Sequence, residues 1–381
     1  MIIYYLLFVI ILLCGLYSIY VNTNEYDNTY HSKSVLRLVC DKLFKDYLFV
    51  VLLLIVFGAY RGFRVGLDNP MYLSYYHALE DNFAANWSLY GFEFGYRVIN
   101  AFAYGLNIGY FGVQLICTTI IVLSFYRFIN TFSLNKTISW LLFLCLGIYA
   151  QSLCIVRQML ALSFVLHAII SLYNKKYFRY VIYTIIAVLF HKSALITLVY
   201  LPLAFIPLSE ISVAIYTACA TLVSVTFIPL FKLFVKIFDS RYAYYIFGDI
   251  GEFNTPVSLP DMLFTIGMLV LFIVVFLFKD KLSKTDQLNN NKFLTLFLFV
   301  PLIRMFGAYI QFPTLSQRIT PYFFFSIIVI VPYYLKLIKE KYTKWYVPAL
   351  VVTIAGALVY MYFLYAVKVS CGVVPYNFEI L

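Results

Sequence analysis

The sequence predicts an all-α integral membrane protein of about twelve spanning helices. Three observations carry this. Of the 381 residues 64% are hydrophobic and only 12% are charged, where a soluble domain carries about a quarter. Mean hydropathy is +0.89. Apolar runs also recur from end to end, many near the ~20 residues needed to cross a hydrocarbon core. Lipid supplies no partner for backbone N–H and C=O groups, so these runs must be helices despite their strand-like richness in Ile, Val, Phe and Tyr.

The first run, Met1 to Tyr20, lacks a positive leading region and a small-residue cleavage site. It reads as a retained span, 2–20, and not a removed signal. A second span follows at 47–60. The stretch 93–107, EFGYRVINAFAYGLN, is amphipathic and either crosses or lies along the surface. The remaining spans are expected at 109–126, 137–156, 158–173, 178–190, 193–206, 211–231, 262–278, 293–310, 320–335 and 345–366. The longer connections, 21–46, 61–92, 232–261 and 279–292, hold no soluble domain. The chain therefore reads as one polytopic membrane domain, 1–381.

A net charge of +11 would suggest nucleic acid in a soluble protein; here it reflects loop charges that set orientation. Lys33, Lys42, Lys45, Lys136, Lys175, Lys176, Lys279, Lys281, Lys284, Lys292, Lys336, Lys339, Lys341 and Lys344 fall in loops that share one side if 93–107 does not cross. The positive-inside rule makes that side cytoplasmic. Both termini and the loops 61–92, 232–261 and 311–319 then lie outside. The seven cysteines form no CxxC pair and mostly sit in apolar runs, so a disulfide framework or metal site is not expected.

Seven of the ten arginines fall on the opposite face: Arg61, Arg64, Arg97, Arg157, Arg241, Arg304 and Arg318. Topology gives no reason for Lys on one face and Arg on the other. A guanidinium grips phosphate or carboxylate through two parallel hydrogen bonds and stays charged when desolvated, so the bias points to an anionic ligand. The plainer reading is snorkelling or local pairing with Asp or Glu.

Four clusters stand out. Arg61-Gly62-Phe63-Arg64-Val65-Gly66-Leu67-Asp68 follows the second span, with Tyr72, Tyr75, Tyr76 and Glu93 beyond it; phenols and carboxylates suit sugar hydroxyls and ring faces. Arg157-Gln158 lies about 27 Å of helix from Lys175, near the edge of the core. His191-Lys192-Ser193 lies about 22 Å of helix from Lys176, so His191 falls in a recess where it can serve as a general base, or caps a helix. His167 reads as a packed mid-helix residue, His77 as a reserve. Last, Arg304 brackets the loop Gln311–Ser316 with Gln317 and Arg318, and the loop with Asp239, Arg241, Asp249 and Glu252 reads as a ligand contact or lid. No P-loop, GxGxxG, GxSxG or HExxH is present, so nucleotide, dinucleotide and zinc chemistry have no support.

The pieces FRVGLDNPMY at 63–72, EFGY at 93–96, IVRQMLA at 155–161 and AVLFHKSALI at 187–196 resemble, in order and spacing, the EpsG/Wzy-type polymerases of bacterial O-antigen and exopolysaccharide synthesis. The resemblance covers roughly 45–205, plus the Gln317-Arg318 pair. It implies a bacterial inner-membrane glycosyltransferase, GT-C-like with an outer-face cavity. Such an enzyme joins oligosaccharide repeats carried on undecaprenyl diphosphate, without cofactor or metal and with a chain-length regulator as a further partner. On it, Arg61, Arg64, Arg157, Arg304 and Arg318 would hold the diphosphate, and His191, Asp68 or Glu93 would take the acceptor proton. Tyr72, Gln158, Gln317 and Arg241 would contact sugar. An O-antigen ligase, differing only in acceptor, and a flippase or exporter of the same lipid-linked unit are the alternatives. A transporter should show internal repeats and charges along a central path; neither is visible.

Overall fold

The computed structural model describes residues 1–24, 39–238 and 256–378. Among them the chain is helical throughout, with a single isolated antiparallel bridge, Arg61 to Phe378. Each of the twelve expected segments is helical, but fewer are long and apolar enough to be spans by those two measures alone. Seven helices are long and apolar enough to cross a membrane by themselves, and up to nine if two bent pairs each count as one. The bends, 48° each, fall between Lys136–Cys145 and Ile148–Cys154 and between Pro313–Phe324 and Ile327–Lys341. Gly147, at φ +79°, supplies the first. The runs at 47–60, 178–190 and 193–206 form the short helices Leu48–Ala59, Tyr177–Phe190 and Lys192–Phe205. Hydropathy alone cannot separate a short buried helix from a span. The stretch 93–107 is the 12-residue helix Phe94–Gly105, about 18 Å long against a core of about 30 Å.

Contacts divide the expected single domain into two compact units, Met1–Leu195 with Ile338–Leu381, and Ile196–Leu337. In the first, Val156–Tyr173 is innermost, with 78% of its length buried. It pairs with Tyr177–Phe190 in a hairpin, the Phe164 and Phe190 rings stacked at 5.2 Å, and packs on Gly109–Phe132. Gly58 lets Leu48–Ala59 approach that same helix: a Cβ there would meet the Thr118 side chain at 2.4 Å. After helix Tyr346–Tyr362 the chain returns across this unit, Tyr365 donating to the Leu144 carbonyl at 3.0 Å and Tyr376 to the Phe57 carbonyl.

In the second unit Lys284–Tyr309 is the central helix, packed by Glu210–Phe238, Leu259–Phe278 and Pro313–Ile319. Ser258 and Ser283 cap the N-termini of two of them by accepting the backbone N–H groups of Asp261 and Asp286, a cap worth about 1 kcal/mol each. Polar side chains tie the far end: Tyr334 donates to the Val275 carbonyl at 2.5 Å, and Lys336 pairs with Asp286 at 2.7 Å.

Candidate functional site

Helix Leu48–Ala59 delivers the chain to the loop 61–68, which is built from its base upward. Arg61 is 1% exposed; its guanidinium donates to the Gly58 carbonyl, and its own carbonyl accepts from Gln114 Nε2 at 3.3 Å. Asn69, fully buried, donates through Nδ2 to the Gly62 and Phe63 carbonyls at 3.3 Å each and accepts the Tyr110 hydroxyl at 2.5 Å. Gly66 sits at φ +98°, and a Cβ there would lie 2.2 Å from the Leu153 carbonyl oxygen. The C-terminal segment clasps the other side: Gly62 N–H donates to Asn377 O at 2.8 Å, Gly66 N–H to Gly372 O and Leu67 N–H to Cys371 O, both at 3.0 Å. What this frame presents outward is Arg64, exposed, its guanidinium 5.3 Å from the Phe63 ring centre.

Arg157 stands in the first turn of Val156–Tyr173, just past a break at Ile155 (φ −87°, ψ 56°). A cation at the positive end of a helix dipole is unfavourable and needs compensation. Glu93 supplies it, Oε2 to Nη1 at 2.5 Å, with the two side chains 13% and 20% exposed. The guanidinium also lies 4.4 Å from the Phe92 ring centre and 5.9 Å from that of Tyr72. Burial pushes that phenol well above its ordinary range, with the Arg157 charge opposing, so it remains a neutral hydroxyl. Phe92 is the hub of an aromatic cluster: Tyr75 at 5.0 Å, Tyr96 at 5.5 Å, Tyr72 at 5.7 Å and exposed Tyr90 stacked at 5.6 Å. Asp68, next to Asn69, lies within electrostatic reach of Tyr72. Gln158 is buried.

His191 is the C-cap of helix Tyr177–Phe190, in extended backbone. It joins the same region because Gly95 packs on the end of that helix, where a Cβ would lie 2.9 Å from the Phe190 ring and 3.0 Å from the Leu189 carbonyl. The His191 Nδ1 accepts the Ser193 backbone N–H at 3.2 Å and faces its hydroxyl at 2.7 Å. A neutral ring with Nδ1 accepting carries its proton on Nε2. His167 pairs with Ser124 at 3.1 Å against the Tyr183 ring, a packed residue as expected. His77 holds Glu80 at 2.8 Å on an exposed face.

The second unit holds the remaining candidates. Arg304 is ion-paired with Asp261 at 2.5 Å, the side chains 9% and 14% exposed, with Phe264 at 5.5 Å. Gln317 and Arg318 are exposed on helix Pro313–Ile319, which rests on Gly307 through Ser316. Arg241, with Asp239, Asp249 and Glu252, lies outside the described residues.

Several functional neighbours were not visible in the sequence reading: Phe92, Asn69, Tyr110, Gln114 and the C-terminal segment 371–378. Only the polar residues within otherwise apolar runs, Asn100 and Gln114 above all, offered a signal.

The sequence profile of the EpsG family matches residues 46–378. Searches of curated proteins and of solved structures returned no match.

Proposed function

The chain belongs to the EpsG family, and from that membership we propose that it is an oligosaccharide repeat-unit polymerase, a GT-C-like glycosyltransferase working on undecaprenyl-diphosphate-linked units at the outer face of the bacterial inner membrane. The observation that carries the site assignment is the Arg157–Glu93 pair, set among Tyr72, Phe92 and Tyr90. In the proposed reaction the acceptor hydroxyl oxygen attacks the anomeric carbon of the growing chain. The bond from that carbon to the diphosphate oxygen breaks, and the lipid diphosphate leaves with the electron pair. Arg64 and Arg157 neutralise the leaving charge. An arriving diphosphate competes with Glu93 for Arg157, which frees the carboxylate to take the acceptor proton. His191, protonated on Nε2, serves as a hydrogen-bond donor to substrate. Exposed Tyr90, stacked on buried Phe92, offers a ring face to sugar. In the second unit Arg318 is the exposed candidate for lipid phosphate, whereas Arg304 is held by Asp261.

Deleting the gene and resolving surface polysaccharide on a gel tests this reading. Single repeats on the lipid core, without longer chains, support a polymerase. Loss of even single repeats points to the ligase or flippase instead.

A further inference from the structure

Cys154 and Cys371, 217 positions apart (371 − 154), meet beside the arginine loop. Cys154 ends helix Ile148–Cys154 and is 4% exposed. Cys371 lies half-buried in the turn Ser370–Gly372, in left-handed backbone at φ 64°. The helix and the turn pack together, and the two thiols influence each other electrostatically. Gly66 lies against both backbones. Gly66 and Leu67 donate to the Gly372 and Cys371 carbonyls at 3.0 Å each, and a Cβ on Gly66 would lie 3.2 Å from the Cys154 Cα. The loop at Gly66 and Leu67 therefore holds the two cysteine backbones close to each other. Cys145, by contrast, meets Met361 at 3.8 Å, and Cys219 is exposed on another helix.

We propose that Cys154 and Cys371 are a disulfide-forming pair, closed by thiol–disulfide exchange with a disulfide-bearing oxidant, and that closure staples the C-terminal segment 370–378 onto the support of the arginine loop. One thiolate attacks a sulfur of the oxidant and releases one of its thiols. The second thiolate then attacks the mixed disulfide and releases the other. Both protons and two electrons leave with the oxidant, and one S–S bond forms in the chain. A cross-link spanning this much sequence restricts the unfolded chain strongly. Only the cellular source of oxidant rests on the outer-face reading above; the pairing itself does not.

The test uses the purified full chain in detergent, treated with 4,4′-dithiodipyridine, denatured, and alkylated with a polyethylene-glycol maleimide. Wild type is expected to yield a linked peptide containing Cys154 and Cys371. Cys154→Ser and Cys371→Ser should each abolish that peptide, and oxidation should raise the unfolding temperature of wild type but not of the double serine variant. Absence of that linked peptide after oxidation, or a linked pair that survives Cys154→Ser, would overturn the proposal. A parallel arm alkylates cells quenched in acid. A bond already present there supports oxidation in the cell as well. A bond that forms only after oxidant is added upholds the pairing and counts against the outer-face reading.

Discussion

The Arg157 guanidinium and the Glu93 carboxylate lie 64 positions apart in the chain and 2.5 Å apart in space. A pair this close, mostly shielded from solvent, loses more when one partner is removed than when both are, because the survivor is left as an uncompensated charge. Glu93→Gln removes the proposed base and should lower polymer formation by about 10²- to 10⁴-fold. Arg157→Lys keeps the charge, loses the two-pronged grip, and should shorten or abolish polymer at normal protein level. Quantified ladders with immunoblots for protein level check both. Wild-type ladders from Glu93→Gln would remove Glu93 from the mechanism.

Gly66 is required by shape. Its left-handed backbone costs a substituted residue about 1–2 kcal/mol, and a methyl group would strike the Leu153 carbonyl at 2.2 Å. Gly66→Ala should therefore lower the detergent-solubilised unfolding temperature and reduce activity together, whereas Gly105→Ala, with nothing within 4 Å of the added Cβ, should do neither.

How much of this was legible in the sequence divides along a physical line. Helix content follows from one rule, that lipid leaves no backbone group unpaired, and it survives any error in tertiary detail. The span count is hardest to read where length is marginal: Leu48–Ala59 and Tyr177–Phe190 are as apolar as the longer helices but fall short of the length that spans a hydrocarbon core by itself. The arginine bias was visible as a group but not as separate roles. Arg61 is buried at the base of its loop, Arg304 is held by Asp261 43 positions away, and Arg97 lies over Trp87 with a bond to Ser88. Arg64 alone of these is presented outward by a frame of Asn69, Tyr110 and the C-terminal segment. Such pairings between distant residues leave no periodic trace in a single sequence.

The Arg304–Asp261 pair should behave as structure. Arg304→Ala leaves Asp261 nearly buried without its cation, a loss of about 3–5 kcal/mol for a fully buried pair and less for this partly exposed one. Thermal unfolding should fall for Arg304→Ala and recover partly in Arg304→Gln/Asp261→Asn. A stable Arg304→Ala protein without polymer would instead return Arg304 to the substrate-binding group.

His191 separates donor from base. With Nδ1 taken by Ser193, the neutral ring donates through Nε2. Glutamine can donate from a similar position but takes up no proton near neutral pH. His191→Gln should therefore keep most polymer, while His191→Ala loses a hydrogen bond to a charged or developing charge, about tenfold or more in rate. Loss of activity in both variants would favour the base role.

Lysine placement predicts the side of the membrane on which this cluster works. Lys-rich loops fall on a common side only when the twelve expected segments cross and 93–107 does not; the helix there, Phe94–Gly105, is amphipathic, whereas Leu48–Ala59, also 12 residues, is apolar throughout. On the positive-inside rule helix Asn69–Asp81 is then expected outside. Asn69 itself is a poor reporter because it is fully buried and hydrogen-bonded. His77, on the same helix with its side chain 61% exposed, is a better one. In a background with Cys219 and Cys40 replaced by Ser, His77→Cys should react with a membrane-impermeant maleimide on intact cells, and a cysteine at Lys341 should react only after permeabilisation. The reverse pattern would put the Arg64, Arg157 and Glu93 cluster on the cytoplasmic side. Polymerisation of exported units there would then have no physical basis, because substrate and site would face opposite compartments.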